Sequence, residues 1–134
     1  MPSEPHSSAA PRTPPRKTGL AHLIAASRYS VQGIRRLWRE AAFRHELLAA
    51  ALLLPLMAAI GTPLWALALQ IVLFAMLIAT EALNTAIEEL VDHLTTDWAE
   101  FAAHAKDLGS LAVMCLLIAN AVWLVAAIWL ALAG

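Results

Sequence analysis

Three long apolar runs, at positions 41–60, 64–80 and 108–133, restrict this chain more than any other feature. None has the alternation of a membrane strand or the turns of a barrel. Each therefore reads as a helix, the form that satisfies its own backbone in lipid. At about 1.5 Å rise per residue the last run crosses a hydrocarbon core of about 30 Å with tilt. Composition agrees: 60% of the 134 residues are hydrophobic and 14% charged, against about 45–50% and about 25% in soluble domains. A chain this small has no globular interior that could hide so much apolar surface. The expected fold class is an all-α membrane protein, with an N-terminal amphipathic surface helix and three transmembrane helices.

Charge gives that frame an orientation. Eight of the nine Lys and Arg residues fall by position 44, and the ninth is Lys106, whereas seven of the ten carboxylates fall between 81 and 107. Residues 1–19 carry five prolines among Ser and basic residues and read as a disordered tail without the apolar core of a signal peptide. Residues 20–134 read as one domain. In LAHLIAASRYSVQGIRRLWR, residues 20–39, Leu20, Leu23, Ile24, Ser27, Val31, Ile34 and Trp38 share a helical face edged by Arg28, Arg35, Arg36 and Arg39. That pattern suits a helix lying in the headgroup layer. The basic cluster predicts a cytoplasmic N terminus. The uncharged Gly61-Thr62-Pro63 link then lies outside, 81–107 returns to the cytoplasm, and the second run must pack antiparallel on the first. Cys115, alone in an apolar run, reads as a small buried residue.

Polar residues interrupt this plan in three places. Nothing breaks a helix in EALNTAIEELVD, residues 81–92. At about 100° per residue Glu81, Asn84, Thr85, Glu88 and Asp92 share one face. Glu89 points off that face and is expected only to solubilise the helix. The strip can place a base at the lipid boundary and a cation ligand about two turns nearer water; alternatively Glu81 simply ends the span at the interface. In REAAFRHE, residues 39–46, Glu40 and Arg44 stand at ion-pair spacing. Glu40 also enters the membrane at the level where the second run leaves it. With Glu88 it could share one magnesium ion, which takes one or two carboxylates plus phosphate oxygens and water. In AEFAAHAKDLGS, residues 99–110, Lys106 precedes the third run and could reach a phosphate, with Asp107 to orient it and Gly109-Ser110 to allow close approach at the helix start. Lys106 and Asp107 also suit ordinary membrane-edge anchors. The five histidines form no HExxH-type pair, and the chain lacks GxxxxGKS, GxGxxG, HRD and DFG motifs. A nucleotide would be handled by helices and carboxylates alone.

Taken in order and spacing, EAAFRHE, EALNTAIEELVD and AKDLGS resemble the small prokaryotic diacylglycerol kinases over about residues 19–130. The resemblance implies a homotrimer in the bacterial inner membrane with active sites between subunits. It implies ATP- and Mg2+-dependent phosphorylation of diacylglycerol to phosphatidic acid at the cytoplasmic leaflet, with no nucleic-acid partner. By position, Glu81 matches the catalytic base, Asn84 its supporting amide, and Glu40 and Glu88 the metal carboxylates. Tyr29, Asp97, Trp98, Ala99, Lys106 and Asp107 match nucleotide contacts. Ala42, Phe43, Arg44, His45, Glu46, Ser110 and Trp123 match the lipid side. Two departures stand out: His22 replaces an Arg early in the surface helix, and the Gly33-to-Glu40 spacing is one residue short. An undecaprenol kinase of the same family, or a non-enzymatic helical membrane protein whose acidic exits only set topology, are the alternatives.

Overall fold

A computed structural model describes residues 19–95 and 97–133, so all of the expected tail at 1–19 except Gly19 lies outside the described residues. Four helices follow in order: α1 (Leu20–Leu37), α2 (Ala41–Ala59), α3 (Leu64–Leu94) and α4 (Glu100–Ala133). No strand occurs among the described residues, and α2, α3 and α4 are each long and apolar enough to cross a membrane. The chain divides into two units, one ending at Gln32 and the other comprising Gly33–Gly134. In the first, Ile24 and Val31 are exposed. The side chains of Leu20, His22 and Leu23 lie outside what is described.

In the second unit α3 is the central helix and packs on both α4 and α2. The link expected at Gly61-Thr62-Pro63 is a helix stop followed directly by a helix start. Gly61 takes φ +79°, its N–H donates to Ala58 O at 3.2 Å, and Thr62 N–H donates to Met57 O at 3.0 Å. That pairing is the Schellman motif, which satisfies the last carbonyls of α2 and requires a left-handed residue that glycine supplies. Pro63 then caps α3, its carbonyl accepting from Ala66 and Leu67 N–H. Just inside this turn Met57, Ala66 and Ala127 are fully buried, with Leu67, Trp123 and Leu124 packed around them.

One boundary agrees with the sequence reading and one differs. The second run and the acidic strip form one uninterrupted 31-residue helix, because neither Gly nor Pro lies between 64 and 94. The third run begins at Glu100 instead of 108, so Lys106, Asp107, Gly109 and Ser110 stand inside α4. Ala102 and Ala103 N–H both donate to Ala99 O, which starts the helix at that alanine. Cys115 is exposed on α4, so the expected burial does not hold within one chain.

Polar groups also occur deep in the apolar part. Gln70 is fully buried on α3, and its Nε2 donates to Asn120 Oδ1 on α4 at 2.8 Å. Asn120 Nδ2 donates in turn to Leu116 O at 2.8 Å and Leu73 O at 3.2 Å. Trp123 Nε1 donates to Ala66 O. Where lipid offers no hydrogen-bond partners, such links are worth roughly 0.6 to 2 kcal/mol each and hold the register of two helices.

Candidate active site

The helical face proposed from spacing exists. Glu81, Asn84 and Thr85 are all buried on α3, Glu88 is half-buried, and Asp92 is exposed beyond it. Burial falls along the strip as it runs toward the α3–α4 connection. Asn84 Nδ2 donates to Glu88 Oε1 at 2.9 Å, an i,i+4 bond that ties the amide to the carboxylate below it. Asn84 Oδ1 is buried with no partner among the described residues.

Gly109 explains how Asn84 fits. A Cβ built there would overlap the Asn84 Oδ1 atom, so only glycine lets α4 approach this face of α3. The approach that Gly109 permits is of α4 to α3, in the third turn of α4 and not at a helix start. Beside it, Thr80, Leu83, Asn84, Ile87, Leu108 and Ala112 help to line an apolar groove of about 500 Å³.

From α2, Glu46 brings a second buried carboxylate, 7% exposed like Glu81. Its Oε2 also has no partner among the described residues. Glu81 lies within electrostatic reach of Glu46, Glu88 and Glu40. Four carboxylates from α2, α3 and the turn before α2 thus gather in one neighbourhood. Buried carboxylates at a membrane boundary are costly and mark a working site by default.

Glu40 and Glu88 fit a magnesium ion only in part. Among the described residues no three His, Cys, Asp or Glu side chains converge on one cation position. A magnesium ion takes one or two carboxylates, with phosphate oxygens and water completing its shell. Glu88, held by Asn84, and the exposed Glu40 are the oxygen donors available for it.

Near the α3–α4 connection, a pocket of about 280 Å³ is lined by Asp92, Thr95, Asp97, Trp98, Ala99 and Lys106, among others. Of the residues expected to contact nucleotide, Asp97, Trp98, Ala99 and Lys106 therefore share one cavity. Thr95 Oγ1 donates to Asp97 O at 2.8 Å and shapes its rim. Lys106 does not pair with Asp107 as anticipated; its Nζ bonds Asp92 Oδ1 across the helices at 2.5 Å. Asp107 is exposed one residue further along α4. Tyr29 is exposed on α1, in the other unit.

The lipid-side residues divide. Phe43 and Glu46 are buried, whereas Ala42, Arg44, His45 and Ser110 are exposed. Trp123 stands elsewhere, against Trp65 with ring centroids 5.8 Å apart and bonded to Ala66 O. Ala66 and Glu81 are separated by about 22 Å of helix rise. The expected Glu40–Arg44 ion pair does not form. Arg44 Nη1 instead donates to Trp38 O and Arg39 O, the carbonyls just past the end of α1, where a cation is favoured. Glu89, read as merely solubilising, is ion-paired with Arg36. Asp92, Arg36 and Glu89 are the residues whose partners sequence reasoning missed.

Comparison with known proteins gives a consistent picture. The family model for prokaryotic diacylglycerol kinase matches residues 28–129. A diacylglycerol kinase of Sinorhizobium sp is 44% identical over 108 residues, covering 81% of this chain and 79% of that protein. One from Haemophilus influenzae is 40% identical over 108 residues, covering 79% and 92%. One from Escherichia coli K12 is 35% identical over 102 residues, covering 75% and 84%.

Proposed function

The chain belongs to the prokaryotic diacylglycerol kinase family of membrane lipid kinases, and from that premise we propose that it transfers the γ-phosphoryl group of ATP to the free hydroxyl of diacylglycerol. The products would be phosphatidic acid and ADP. One observation carries the assignment of parts: buried Glu81 and half-buried Glu88 lie on one face of α3, with the Lys106 pocket beyond them.

Glu81 is placed to accept the hydroxyl proton as the oxygen attacks the γ-phosphorus and the bond to the β-phosphate oxygen breaks. Asn84 holds Glu88 through its amide N–H and so fixes a carboxylate about two turns from the base. Lys106 exchanges its carboxylate partner Asp92 for a phosphate. Asp97, Trp98 and Ala99 form the rim on which the nucleotide rests. Bound magnesium, held by Glu40 and Glu88, would neutralise phosphate charge. Phe43 and Glu46 border the lipid side. The basic N-terminal region supports a cytoplasmic position for this end of the bundle, at the inner membrane. The large apolar surface left exposed on all three spans suits a homotrimer.

The test is transfer from labelled ATP in mixed micelles, offering diacylglycerol and undecaprenol separately. Labelled phosphatidic acid is the expected product. Product from undecaprenol alone would assign the chain to that alcohol instead, and no product from either lipid would overturn the reading. Glu40→Gln and Glu88→Gln are each expected to raise the Mg2+ concentration needed for half-maximal rate. An unchanged Mg2+ response in both would remove the metal assignment.

A further inference from the structure

The segment joining α1 to α2 is short and heavily bonded. Trp38 N–H donates to Ile34 O at 2.9 Å, Arg39 N–H to Arg36 O at 3.0 Å, and Glu40 N–H to Leu37 O at 2.9 Å. Arg44 closes the same turn from the α2 side through the carbonyls of Trp38 and Arg39. Trp38 meets Phe43 edge to face, with centroids 6.2 Å apart. Glu40 therefore has little freedom of its own within residues 36–44. Its place relative to α3 follows from where the last turn of α1 is anchored.

That anchor is visible. Leu37 is 6% exposed, in a shallow groove that it and Arg36 line with Ala82, Thr85, Ala86 and Glu89 of α3. Small residues at 82 and 86 let the turn lie close. Arg36 Nε then donates to Glu89 Oε1. Glu89 follows Glu88 in the chain and stands one turn beyond Thr85. A pair this exposed adds little to global stability, yet it sits where small displacements move Glu40 with respect to Glu81 and Glu88.

We propose that Arg36 and Glu89 are positioning residues, a latch that holds the α1–α2 turn on α3 and so sets Glu40 opposite the α3 carboxylates. The proposal rests on Glu40 and Glu88 as the metal carboxylates. Neither latch residue touches substrate. Their effect is on the cation requirement, not on lipid affinity.

Three variants of the full-length protein in detergent test this: Arg36→Gln, Glu89→Gln and the charge-swapped Arg36→Glu/Glu89→Arg. Without any metal, amide hydrogen exchange over residues 33–44 should accelerate in both single variants and slow again in the swap. In the transfer assay the half-saturating Mg2+ concentration should rise about two- to fivefold in the single variants, the range an exposed ion pair can supply. The swap should restore it, and KM for lipid should stay constant throughout. A cation acted on directly by the charge at position 89 would instead be bound worse still in the swap, and that result would overturn the latch. So would unchanged exchange in the single variants, or faster exchange with an unchanged Mg2+ response. Glu40→Gln is the internal control. If it shifts the Mg2+ response and the latch variants do not, the latch alone fails. If it does not, the metal assignment fails first and the positioning claim with it.

Discussion

The two ends of the α3–α4 pair use polar side chains for opposite purposes. Toward the Gly61 turn, Gln70, Asn120 and Trp123 spend their hydrogen bonds on each other and on backbone carbonyls. Gln70 Oε1 and Thr62 Oγ1 are the polar atoms there without a partner among the described residues. Toward the α3–α4 connection, Asn84 and the neighbouring Glu46 of α2 each keep a buried oxygen without a partner among the described residues, and carboxylates stand within reach of other carboxylates. The first arrangement joins helices. The second is costly unless something outside the chain completes it. On the proposed function, stability and chemistry are served at different depths of the bundle.

Substitutions at the two ends should separate those roles. The largest effect is expected from Glu81→Gln, which removes the proposed proton acceptor. Phosphate transfer should fall by about 10²- to 10⁴-fold, with detergent-solubilised assembly and helix content unchanged; retained transfer would remove Glu81 from the mechanism. Gly109→Ala should come next, because its methyl group has no space beside Asn84. Overpacking of this kind costs about 1–3 kcal/mol, so both thermal stability and transfer rate should drop. A variant with normal rate would mean that Asn84 moves without consequence.

Asn120→Ala sharpens the contrast from the other end. It strands the Gln70 amide, at a cost of about 1–2 kcal/mol, seen as easier unfolding in detergent with kcat unchanged. The double change Gln70→Leu/Asn120→Leu should recover much of that loss, since no buried polar group is left alone. The smallest effect is expected for Asp92→Asn. The Asp92–Lys106 pair is largely exposed, so stability should move by less than about 1 kcal/mol. KM for ATP should shift severalfold if Lys106, as proposed, exchanges this partner for phosphate.

Much of this architecture was legible in the residues. Apolar runs announce spans because lipid leaves few alternatives, and one helical period places Glu81, Asn84, Thr85 and Glu88 on a single face. Periodicity describes one helix at a time, however. The links between helices escape it: Arg36 to Glu89 across 53 positions, Lys106 to Asp92 across 14, Gln70 to Asn120 across 50. Two amides within apolar runs are a signal for the last of these; nothing local marks the first. Arg44 shows the same limit, since its spacing from Glu40 suggests an ion pair but the open carbonyls after α1 are the better partner.

The unbroken length of α3 has a consequence for the surrounding membrane. Its 31 residues form a rod of about 46 Å, set against a hydrocarbon layer of about 30 Å. With neither Gly nor Pro to break α3 between 64 and 94, the depth of Glu81 moves with the whole helix. It is adjusted by tilt, which answers to bilayer thickness at a modest cost per ångström of mismatch. A membrane that thickens would pull the carboxylate toward hydrocarbon, and one that thins would push it into the headgroups. The lipid composition that this enzyme acts upon therefore also sets the level at which it works.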